Sequence, residues 1–74
     1  MALKLRGLPF QIANFDIVNF FYGYSFIYNT VLIGKNNDGK KNGYGILLFE
    51  NEQECQRAMS EKQGKTIGPR YIEI

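Results

Sequence analysis

Nine residues near the middle of the chain, Lys35–Gly43 (KNNDGKKNG), contain no apolar side chain and constrain the fold more than any other stretch. Asp38-Gly39 supplies the chemistry of a tight reversal, because glycine accepts the backbone conformations that hairpin turns need. On either side lie runs suited to strands: Tyr28–Gly34, with Val31 and Ile33 on one face, and Tyr44–Glu50. The centre of the chain therefore reads as an antiparallel hairpin, and 74 residues leave room for one small domain around it.

Each flank adds a strand and a helix. Leu3-Lys4-Leu5-Arg6 alternates apolar and charged residues, the pattern of a half-buried strand, and Gly7-Leu8-Pro9 ends it. Asn14 is the expected cap of a first helix. Ile17, Phe20, Phe21 and Tyr24 follow at helical spacing, with Gly23 near the expected stop. After the hairpin, Asn51-Glu52-Gln53-Glu54 has the form of a capping box, and the helix it opens carries Cys55, Ala58 and Met59 on one stripe. Gly64 closes that helix, Gly68-Pro69 prevents its return, and Arg70–Ile74 forms a last strand with Ile72 and Ile74 inward.

The order βαββαβ predicts an α+β, ferredoxin-like sandwich: a four-stranded antiparallel sheet in spatial order 4-1-3-2 with two helices on one face. Three loops then converge on one edge, namely Gly7–Phe10, Lys35–Gly43 and Gly64–Arg70. Strand parity turns Gly45, Leu47 and Phe49 toward the helices. It leaves Tyr44, Ile46 and Leu48 on the open face together with Leu32. A wet cluster of Leu32, Ile46 and Leu48 is costly, so a further segment or a partner is expected to cover it.

The chain has no histidine and one cysteine. Lack of histidine removes the common general base, the common zinc ligand and any Ser/His or Cys/His nucleophilic pair. The expectation is a domain with no catalytic residues, no metal and no cofactor. One cysteine excludes an intrachain disulfide, which in so small a domain points to a reducing compartment. No apolar run approaches the roughly 20 residues that span a membrane, so no membrane partner is expected. The net charge of +2 is uneven, with −2 over residues 51–61 and +4 elsewhere. Lys35, Lys40 and Lys41 surround a single Asp38, which suits one face to an anionic partner.

Asn42-Gly43-Tyr44-Gly45-Ile46-Leu47-Leu48-Phe49 resembles the octapeptide of RNA recognition motifs, K/R-G-F/Y-G/A-F-V-x-F/Y. Leu3–Leu8 sits where the hexapeptide of the first strand belongs. Ordinary members stack bases on aromatics at three places, which here hold Tyr44, Ile46 and Lys4. Stacking contributes roughly 1–3 kcal/mol per base, so two losses weaken that mode. Arg6-Gly7-Leu8-Pro9-Phe10 and Gly68–Ile74 (GPRYIEI) are similar to the quasi-RNA-recognition motifs of the heterogeneous nuclear ribonucleoprotein F/H family.

That resemblance implies a module that binds single-stranded, G-rich RNA by its loops. It further implies a nuclear pre-mRNA processing or splicing regulator, with shuttling to the cytoplasm open to it. Family contact positions fall on Arg6, Phe10, Arg70 and Tyr71, and a further basic position falls near Gly64 or Lys65. Tyr44 departs from the quasi-motifs, which usually place a non-aromatic residue there, and it preserves part of the sheet-face mode.

The residues themselves agree with this reading. Parity puts Arg6 and Tyr71 on the open face at the edge where the loops meet. Phe10 lies just past Pro9, and Arg70 precedes the last strand. Rings can stack on splayed bases, and arginine can donate two hydrogen bonds to the O6/N7 edge of guanine. Lys35, Lys40 and Lys41 would neutralise phosphates. The plain alternatives are a surface ion pair of Arg6 with Glu73, packing roles for Phe10, Arg70 and Tyr71, and a solvated lysine turn. Two other functions compete: a protein-interaction module that uses the apolar open face, and a small acylphosphatase-like enzyme, which the missing histidine disfavours. The chain reads as a single domain over 1–74, monomeric in isolation and part of a longer multidomain protein.

Overall fold

A computed structural model describes residues 1–74. The alternation at the N-terminus becomes strand β1 (Ala2–Arg6), with Leu3 and Leu5 buried and their neighbours exposed. The hairpin forms from β2 (Leu32–Lys35) and β3 (Lys41–Leu48), and β3 also pairs antiparallel with β1. Asp38 and Gly39 make the reversal as expected. The Gly39 N–H donates to the Asn36 carbonyl at 3.0 Å, and the Asp38 carboxylate accepts from the Lys40 N–H at 3.0 Å.

Two boundaries of the hairpin differ from expectation. β3 begins at Lys41, three residues before Tyr44, because Lys41 already pairs with Lys35. Tyr28–Thr30, expected to be strand, forms a single 3₁₀ turn. The Thr30 hydroxyl donates to the Ile27 carbonyl at 2.6 Å and accepts from the Leu48 N–H at 3.0 Å. A side chain thus takes the place of a ladder partner, and the backbone can turn without stranding a polar group.

Helix α1 (Asn14–Phe20) is capped at Ala13 and not, as predicted, at Asn14. The Asp16 carboxylate accepts the Ala13 N–H at 2.8 Å, so the helix entry is held from inside its first turn. Helix α2 (Glu52–Lys62) starts as predicted: Asn51 accepts from the Glu54 N–H at 2.9 Å, a cap worth about 1 kcal/mol. Cys55 and Ala58 are buried, but Met59 is 41% exposed, so the inward stripe is narrower than its spacing suggested.

Leu3, Leu5, Leu47 and Phe49 share one parity of the sheet and one core cluster with Ile17 and Phe20 of α1 and Cys55 and Ala58 of α2. Both helices therefore cover the same face. Phe21, just past α1, is fully buried in edge-on contact with Phe20 at 5.0 Å and Phe49 at 5.6 Å between ring centroids. Each such side chain contributes roughly 1.5–3 kcal/mol by leaving water.

The C-terminal strand divides. Thr66–Ile67 (β4) and Arg70–Tyr71 (β5) pair across Gly68-Pro69 as a small hairpin. Beyond it a single bridge joins Glu73 to Arg6, with main-chain bonds of 2.8 and 2.9 Å. The main sheet is therefore three-stranded, in order β1-β3-β2, and the predicted 4-1-3-2 ladder is reduced on its outer side to that bridge. The cause is local: the turn at Gly68-Pro69 commits Arg70 and Tyr71 to β4, leaving only Glu73 to meet β1. Ile72 is buried and Ile74 half-buried against the core, inward as expected.

Candidate functional site

The face of the sheet opposite the helices is built from three cross-strand rows. Glu73, Arg6 and Tyr44 stand in one row, and Lys4, Ile46 and Leu32 in the next. Ala2 and Leu48 pair in a third. Tyr44 is 52% exposed and Leu32 65% exposed, and Lys4 is exposed. A shallow hollow of about 270 Å³ lies between Lys4, Leu32, Gly34, Tyr44 and Ile46. Parity of β3 holds as predicted: Leu32 and Leu48 are exposed, and Ile46 is half-buried.

Arg6 ends β1 with its side chain exposed, and its guanidinium donates to the Glu73 carboxylate. That hydrogen bond, reinforced by the carboxylate charge, holds the arginine above its ordinary pKa. The ion pair weighed as the plain alternative is thus formed, and Arg6 meets any ligand as half of a pair. Glu73 is the open-face residue that sequence reasoning assigned no binding role. Its register with Arg6 depends on a contact across 67 positions of chain.

The first loop meets both the hairpin and β5. The Leu8 N–H donates to the Gly43 carbonyl at 3.0 Å, which ties the first loop to the hairpin. Gly7 lies against Tyr71: a Cβ at position 7 would sit 2.8 Å from the Tyr71 carbonyl oxygen. Phe10, 71% exposed, lines a hollow of about 560 Å³ with Asn36, Gly39, Lys40 and Lys41. Lys40 is exposed there, whereas Lys41 is half-buried and its ammonium donates to the Ile12 carbonyl. Lys41 is therefore partly committed to the backbone, which its place in a polar turn did not reveal. Arg70 and Tyr71 are exposed on β5, Tyr71 at 74%.

The predicted residues are thus all outside the core, but they do not line one hollow. Arg6, Lys4 and Tyr44 share the sheet face with Glu73. Phe10, Lys40 and Lys41 share the hairpin loop. Arg70 and Tyr71 stand on the neighbouring strand, whose backbone touches Gly7. Chemically the rim offers exposed rings, guanidinium and ammonium donors, and one carboxylate.

A model of the RRM domain, the RNA recognition motif, matches residues 3–74. This chain belongs to the RRM domain family. The RRM domain resembles heterogeneous nuclear ribonucleoprotein F of Mus musculus, with 33% identity over 72 residues, 97% of this chain and 17% of that protein. It resembles RNA-binding protein 12 of Homo sapiens with 29% identity over 73 residues, 99% of this chain and 8% of that protein. The chain therefore spans a small part of the length of these relatives. Among solved structures, G-rich RNA sequence binding factor 1 from Homo sapiens superposes with a TM-score of 0.88 at 31% identity, covering 97% of this chain and 74% of that one. The Glorund qRRM2 domain superposes with a TM-score of 0.87 at 30% identity, covering 97% and 82%. The likeness to the quasi-motifs seen in Arg6–Phe10 and Gly68–Ile74 thus extends over nearly the whole chain.

Proposed function

We propose that this RRM domain binds single-stranded, G-rich RNA through its loops and holds no catalytic machinery of its own. The observation that carries the reading is the packing of the first loop against the hairpin at Gly43 and against β5 at Tyr71, with Phe10 exposed beside Lys40. Phe10 and Tyr71 stack on splayed bases, and Arg6 and Arg70 donate to guanine edges. Lys40, with Lys4 and the partly committed Lys41, faces phosphates. Its likeness to a G-rich RNA sequence binding factor and to a heterogeneous nuclear ribonucleoprotein supports the base preference and the nuclear setting. The bridge of Glu73 to Arg6 supports the outer strand position of the order 4-1-3-2. The domain acts as one monomeric module of a longer pre-mRNA processing or splicing regulator, nuclear and free to shuttle.

The test is a titration of a G-run oligonucleotide against three variants. Phe10→Ala and Arg70→Ala each weaken binding, with the lost stack alone costing about 1–3 kcal/mol, and Tyr44→Ala weakens it less. If Tyr44→Ala is the most damaging, the ordinary sheet-face mode replaces the loop mode. A second reading, a protein partner on the open face, draws support from the exposed Leu32 and Leu48 beside the half-buried Ile46. Absence of RNA binding at low salt favours it.

A further inference from the structure

Arg6 and Glu73 face the same side of the sheet at a spacing set by two main-chain hydrogen bonds of 2.8 and 2.9 Å. Their paired side chains are 62% and 61% exposed. They border a hollow of about 260 Å³ whose other walls are Lys4, Leu5, Tyr44 and Ile74. An ion pair this exposed does little for stability, because water screens it and two side chains must be ordered to make it. It is also poorly suited to a phosphate, since the carboxylate neutralises the arginine and repels the anion. What the pair presents is a fixed sequence of hydrogen-bonding groups, donors on Arg6 and acceptors on Glu73, side by side next to an exposed ring.

We infer that Arg6 and Glu73 together read one guanine, Arg6 donating to O6 while Glu73 accepts from N1–H and N2–H, so that Glu73 is a specificity-determining residue of this domain. The inference rests on the proposed binding of single-stranded RNA and names how one base is chosen. Guanine presents, in order, an acceptor and two donors along its pairing edge. Adenine and cytosine present the reverse at the first two places, setting an N–H against the guanidinium and a lone pair against the carboxylate. Uracil matches those two places but sets its O2 against the second carboxylate oxygen, where guanine has an amine. The order of preference is guanine, then uracil, then adenine and cytosine. An unpaired donor or acceptor at a desolvated contact costs more than a made hydrogen bond returns, so mismatched bases are rejected strongly.

The test uses fluorescence anisotropy with wild-type protein, Glu73→Gln and Glu73→Ala. The oligonucleotides are a G-run, the same run with inosine, which lacks the N2 amine, and an A-run. Side chains as exposed as Glu73 tolerate substitution, and the amide spectrum of each variant verifies its fold. Removing a negative charge favours every polyanionic oligonucleotide alike on electrostatic grounds, so the readout is the ratio between them. Wild type should favour guanosine over inosine by about tenfold, the loss of one charge-assisted hydrogen bond. In both variants that ratio should fall to within about twofold, and the preference over the A-run should shrink with it. A wild-type ratio near one, or a full ratio retained in both variants, overturns the inference while leaving RNA binding intact. No binding of the G-run by wild type overturns the proposed function and this inference together.

Discussion

Replacing Gly7 with alanine should destabilise the domain and loosen the meeting of its loops. Gly7 has φ of +89°, where a Cβ is crowded by its own backbone. That conformation alone costs a non-glycine residue about 1–2 kcal/mol. The added methyl would also lie 2.8 Å from the Tyr71 carbonyl oxygen, a backbone atom, so the chain at residue 71 must move. That movement strains the two main-chain bonds between Arg6 and Glu73, each worth about 0.5–1.5 kcal/mol. The total is about 2–4 kcal/mol, a large share of the roughly 4–11 kcal/mol expected for a chain of this size.

Gly23 provides the control. Its φ is +94°, yet nothing lies within 4 Å of the corresponding Cβ. Gly23→Ala should therefore show only the conformational cost. Urea denaturation of both variants isolates the contact with Tyr71 as their difference, about 1–2 kcal/mol. Thermal midpoints should separate by roughly 4–16 °C, at about 4–8 °C per kcal/mol for a domain of this size. Equal midpoints for the two variants would refute the claim that Gly7 is needed for close approach of the C-terminal segment.

Glu54 accepts hydrogen bonds from Arg57 and from the Ser25 N–H, and its carboxyl is lowered from the usual 4.5 to about 2, chiefly by Arg57. Because the folded value is the lower one, its stabilising contribution is complete above about 4.5 and disappears as pH falls through about 2. A carboxyl-carbon titration should place its midpoint near 2, and Glu54→Gln should flatten the acid limb of stability; a midpoint near 4.5 contradicts the pairing. For Lys40→Ala, binding to a G-run should weaken similarly across sequences, and the slope of log K against log salt should fall by about 0.7, one phosphate contact on a single strand. An unchanged slope removes Lys40 from the interface.

Much of this architecture is legible in local pattern. Leu3 and Leu5, and then Leu47 and Phe49, declare the buried face because a strand has period two, and the structure buries all four. Asn51 and Glu54 declare a helix start because a cap is a contact across three residues. Where the sequence misleads, the deciding contact is distant. Tyr28–Thr30 carries strand-prone residues, but the Thr30 hydroxyl bonds to Leu48 and fixes a turn. Arg70 and Tyr71 read as the last strand of the main sheet until Thr66 and Ile67 claim them. Lys41 appears solvated in a polar loop, although its ammonium reaches Ile12, 29 positions away. Arg6 was expected at the rim, and it is there, but its fixed pairing with Glu73 gives the rim an acceptor beside its donors.

The central claim is that RNA is gripped where the first loop meets the hairpin and β5. Backbone amide shifts recorded during titration with G-run and U-run oligonucleotides test it directly. The account predicts tighter binding of the G-run, with the largest shifts at residues 7–10, 36–44 and 70–73 and little change along the outer faces of α1 and α2. Shifts confined to Leu32, Ile46 and Leu48, with the loops silent and the two oligonucleotides bound equally, would contradict it.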